Sequence, residues 1–106
     1  MDIEKILEEL RKNLVTLLAE KYKEFKPEIK KDIDSFLKSS KEKLERWSLL
    51  IASGSLTQEE LAWLLKSQQD LIALKALQSA GLSKIKLNNI KNSILETVLQ
   101  TIILSI

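Results

Sequence analysis

The side chains here that could do chemistry are serine, threonine, lysine and the carboxylates, because the 106 residues include no histidine and no cysteine. The commonest neutral-pH base and metal ligand and the thiol nucleophile are all missing. A serine nucleophile needs a base within hydrogen-bond reach, and no Ser sits in a motif that supplies one. A phosphate cradle needs a glycine-rich loop, whereas the two glycines, Gly54 and Gly81, stand far apart. Di-iron bundles carry Glu-x-x-His on facing helices, a pattern closed to a chain without histidine. After residue 60 the only acids are Asp70 and Glu96, each read as a solvated group or a cap for a lysine. The sequence therefore points away from an enzyme, with no catalytic residue, cofactor or metal expected.

Charge narrows the partners. Net charge is +2, and residues 1–65 carry nearly balanced charge, whereas 66–106 carry five lysines against Asp70 and Glu96. Fifteen of the basic residues are lysine and two are arginine, Arg11 and Arg46, and no aromatic is interleaved with Lys84, Lys86 and Lys91. Base readout favours bidentate arginine and single-strand binding favours stacked aromatics, so nucleic acid is not an expected partner. The Lys/Glu-dense run KYKEFKPEIKKDID reads as a solvated helix face. The N-terminal MDIEKILEEL has no basic stretch followed by an apolar one, and no apolar run reaches the ~18 residues of a membrane span. A cytoplasmic protein is the expectation.

The elements that would position any surface are helical. Two Gly and one Pro in a chain that is 44% hydrophobic and 30% charged leave little of the punctuation that β-turns need. The length suits one domain, 1–106, of all-α class. In ASGSLTQEEL, Gly54 can take the left-handed conformation that ends a helix, and Thr57 with Glu60 forms a capping box that starts the next. Leu56 and Leu61 flank it at the staple positions. A second stop lies at SAGLSK, with Gly81 as C-terminal cap and Ser83 as N-cap. Helices over about 58–80 and 84–105 follow.

The first half carries one stripe in steps of three and four: Ile3, Leu7, Leu10, Leu14, Leu18, Tyr22, Phe25, Ile29, Ile33 and Phe36, then Leu44, Trp47 and Ile51. Its phase never changes, which favours a single long helix over about 2–52, kinked at Pro27, in a helical bundle. The alternative makes Pro27 the start of a new helix, a position proline favours, and yields a four-helix up-down-up-down bundle. A single helix over 2–52 would be about 75 Å long, and two helices of about 35 Å folded back on it could cover only half. The stripe Ile3, Leu7, Leu10, Leu14 and Leu18 would then need a second chain.

Two further stretches suggest a partner. On a helix over 58–80, Leu61, Leu64, Leu65, Leu71 and Ile72 make one face, while Trp63, Leu74 and Leu77 make another on the opposite side. Gln68 falls within the first face, as a boundary residue or a core amide. In the last helix Asn89, Asn92, Ser93, Glu96 and Gln100 share a polar face opposite Ile90, Ile94, Leu95, Val98, Leu99 and Ile102. The closing residues Ile103 and Ile106 extend beyond that face, and the tail is too short to span a bilayer's ~30 Å hydrocarbon core. The expected interface is thus Ile3, Leu7, Leu10, Leu14, Leu18, Trp63, Leu74, Leu77, Ile103 and Ile106. A non-catalytic structural or adaptor protein that self-associates, with a homodimer favoured and a further protein partner allowed, is the leading reading. A small protein of immunity or regulatory type, lying on an anionic membrane surface through Lys84, Lys86 and Lys91 with the apolar last helix, is the second and less favoured.

Overall fold

The computed structural model describes residues 2–20, 22–69, 72, 74–79 and 81–106, the side chains of Phe25, Ala76 and Leu77 excepted. Among the described residues there are five α-helices and one 3-10 turn, and no strand. Helix α1, Ile3–Ala19, starts at Asp2, whose carboxylate accepts the Glu4 N–H at 3.0 Å. That bond satisfies one of the donors a helix N-terminus leaves over.

The helical stretch expected over 2–52 is present, but it is folded back on itself. After α1 a 3-10 turn, Lys23–Phe25, leads into α2, Lys26–Ala52. Arg11 Nε donates to Asp34 Oδ1 at 2.7 Å, and Lys41 Nζ donates to Glu4 Oε1 at 2.7 Å. As the partner number rises from 34 to 41 along α2, the number on α1 falls from 11 to 4, which is the signature of an antiparallel hairpin. The 42 Å longest extent of the molecule likewise leaves no room for a rod of about 75 Å. Pro27 is the second residue of α2, where its missing N–H costs nothing because first-turn donors have no intrahelical acceptor. The arrangement is thus the second of the two the stripe allows. Phase stays unbroken because both arms turn the same stripe into a shared core.

Both ion pairs are about half exposed and screened by solvent, so each adds little to stability and chiefly marks register. The hydrogen bond to Glu4, and then the attraction of its charge, raise the Lys41 ammonium pKa above the ordinary lysine value.

Helix α2 ends in the motif its sequence promises. Gly54 sits at φ 78°, its N–H donates to Ile51 O at 3.1 Å, and the Ser55 N–H reaches Leu50 O at 2.9 Å. This paired closure satisfies carbonyls the helix end would otherwise strand. Thr57 then caps α3, Gln58–Ser67: its Oγ1 accepts from the Glu60 N–H and the Glu60 carboxylate accepts from the Thr57 N–H, both at 3.1 Å.

The helix expected over 58–80 does not run through. Helix α3 stops at Ser67, where the Gln68 N–H turns back to Leu65 O and the Ser67 hydroxyl donates to Leu64 O. A short helix α4, Lys75–Ser79, follows. Packing supplies the reason: Ile72 and Leu74 are both buried, yet on one helix they would point about 200° apart. Breaking the helix lets both enter one core. Leu71 lies outside the described residues. Gln68 is half-buried at the edge, where its Oε1 accepts from Lys43 Nζ at 2.8 Å.

Helix α5, Lys84–Ser105, starts at Ser83, whose Oγ accepts the Lys86 N–H at 3.3 Å, with Gly81 at φ 86° before it. Contacts run in a ring from α2 to α1 to α5 to α3 and back to α2. Asn13 Nδ2 donates to Thr101 Oγ1 at 3.0 Å, while Leu17 and Tyr22 share a groove with Lys86 and Ile90, so α5 runs antiparallel to α1. The four longer helices therefore go up, down, up and down. The 10 residues of α3 match only part of the 27 of α2, and α4 packs on α2 as well. The enclosed core includes Leu10 and Leu14 from α1, Ile29 and Leu44 from α2, Leu61 and Leu65 from α3, and Val98 and Ile102 from α5.

Candidate interaction surface

The N-terminal stripe is not an open surface. Leu10, Leu14 and Leu18 are buried inside the chain's own core, and Ile3 and Leu7 are half-buried against it. Folding α2 back over α1 covers what a lone long helix would have left bare. Leu74 is also a core residue, for the reason given by the break after Ser67. The side chain of Leu77 lies outside the described residues. Ile103 is half-buried and Ile106 is exposed at the end of α5. Asp70 falls outside the described residues, and Glu96 is exposed beside Ala62 and Lys66 where α3 meets α5.

Trp63 remains. It is 71% exposed, the largest apolar side chain on the described surface. Its direction follows from helix geometry: Leu61 and Leu65 point into the core, and a residue two positions from each lies about 200° away from both. The capping turn sets its surroundings. Leu56, half-buried just before the cap, and Leu64 form an open groove with Trp63, and Glu59 and Glu60 line it. Glu60 is held there by its bond from the Thr57 N–H. The arrangement is an apolar shelf bearing two carboxylates.

A second apolar projection has the opposite surroundings. Ile85 is 75% exposed in the first turn of α5, between Lys84 and Lys86, and that turn contains no acid. Cations at a helix N-terminus work against the macrodipole, so the placement is locally unfavourable. Hydrophobic periodicity alone does not flag Ile85. Its signal in the sequence is the triplet KIK directly after an N-cap, where acidic residues are the favoured neighbours. Among the described residues Leu49, at 52%, and Leu104, at 86%, are the other exposed large aliphatics besides Ile106.

Polar chemistry is sparse. Among the described residues no group of three or more acidic side chains is placed to hold a metal. The buried hydroxyls of Ser40 and Ser48 have no hydrogen-bond partner, but they lie on the core side of α2 rather than beside the Trp63 groove. Among the described residues no helix is long and apolar enough to cross a membrane. No family model, curated protein or solved structure matches the chain.

Proposed function

We propose that this protein is a non-catalytic structural or adaptor protein that acts by helix-mediated self-association and protein binding, with the outer face of α3 as its contact surface. The observation that carries this reading is the exposure of Trp63 on an otherwise well-folded bundle. Tryptophan is enriched at the centres of protein interfaces, where a large rigid ring is desolvated at little cost in side-chain entropy. The Leu56 and Leu64 side chains beside it enlarge the apolar area a partner would cover. Burial of Ile94, Leu95, Val98 and Ile102 in the bundle uses up the apolar face of α5, which weighs against that helix lying in a lipid surface.

Sedimentation velocity over a concentration series tests the proposal. The wild-type chain, of about 12 kDa, is expected to rise toward dimer mass, and Trp63→Ser to stay monomeric with an unchanged helical spectrum. A wild-type chain that remains monomeric at high micromolar concentration refutes it.

A further inference from the structure

We infer that the acid-lined Trp63 groove of one copy receives the lysine-flanked Ile85 of a second copy, and that the contact is made twice in a two-fold dimer. The inference rests on the self-association proposed above and specifies its geometry. The two projections are complementary in both senses that matter. Each presents a strongly exposed apolar side chain, Trp63 at 71% and Ile85 at 75%. One is flanked by Glu59 and Glu60, the other by Lys84 and Lys86. Opposed charge around an apolar centre fixes register and disfavours like-with-like pairing, so groove to groove and knob to knob are both rejected. An acidic partner surface would also relieve the unfavourable position of two lysines in the first turn of α5.

The placement permits reciprocity. Helices α3 and α5 pack side by side, and Asn92 and Glu96 line the groove between them together with Ala62 and Lys66. Ile85 precedes Asn92 by seven residues and Glu96 by eleven, which at helical spacing puts all three on the α3 side of α5. Trp63 adjoins Ala62 and Lys66 on α3. Groove and knob therefore border the same outer face of the bundle, and a two-fold axis through that face sets each against its complement in the other copy.

Charge reversal tests this without threatening the fold. Glu59→Lys spares the capping box, which uses Glu60, and Lys84→Glu/Lys86→Glu replaces cations at a helix start with favoured anions. Each variant alone is expected to dimerise about tenfold or more weakly than wild type, because Glu59→Lys cancels the groove's negative charge and sets a cation against two lysines, while Lys84→Glu/Lys86→Glu sets carboxylates against carboxylates. Mixing the two variants is expected to give a heterodimer stronger than either variant's homodimer, since one contact is then wild type and the other pairs the cation of Glu59→Lys with the two new carboxylates. Wild-type association should weaken as salt is raised. Association indifferent to both reversals, or variants that fail to rescue each other, would overturn this contact while leaving self-association standing. A monomeric wild-type chain would overturn both.

Discussion

Asn13 on α1 donates to Thr101 on α5 across 88 residues of sequence, at 3.0 Å, and the Thr101 hydroxyl in turn donates to Thr97 O at 2.7 Å. It is the described side-chain hydrogen bond that joins the first and last helices, and it sits part-buried between them. Asn13→Ala should lower stability by ~0.5–1.5 kcal/mol, the usual net value of such a bond. In a cycle with Thr101→Val, the double variant should cost less than the sum of the singles. Thermal melts of the four proteins check this, and strict additivity would show that the bond contributes nothing.

Ser48 is fully buried on α2 with its hydroxyl unpaired. A buried hydroxyl without a partner carries its desolvation penalty uncompensated, and alanine is the better helix former. Ser48→Ala should therefore raise stability, by about 0.5–1.5 kcal/mol. Urea denaturation measures it, and a clear loss would mean the hydroxyl is bonded in solution.

Deleting residues 98–106 removes Val98 and Ile102, both fully buried, together with Thr101 and half-buried Leu99. At ~1.5–3 kcal/mol for each fully buried aliphatic, and with the Asn13 partner gone, the loss approaches the ~5–15 kcal/mol stability of a whole domain. The truncated chain should lose its cooperative melt in circular dichroism. Retention of a sharp, fully helical transition would show that the tail is not part of the core.

Helix ends were more legible in the sequence than the helix paths between them. Gly54, Thr57 with Glu60, and Ser83 act through local backbone bonds, so their residue types alone locate the turns, and the structure places them there. The fold-back after Ala19 has no such signature: no glycine marks it, and both arms bury the same stripe, so periodicity cannot tell a hairpin from a rod. The break after Ser67 is also nonlocal, since it is required only because Ile72 and Leu74 share one core. Those two long-range choices decide the surface. They remove Leu10, Leu14, Leu18 and Leu74 from it and leave Trp63, which helical spacing from Leu61 and Leu65 does place outward. Ile85 is exposed by position rather than by pattern, at the head of a helix whose buried turns come later.

The fluorescence of Trp63 offers the most direct test of the self-association proposed here. The chain has two tryptophans, Trp47 buried at 9% exposure and Trp63 at 71%, so Trp47→Phe leaves the surface ring as the sole reporter. Raising the concentration of this variant should shift its emission to the blue as the ring leaves water, in step with a mass that climbs from that of one chain toward two. Emission that stays at the position of a solvated indole at every concentration, with the mass fixed at a single chain, would contradict the proposed surface.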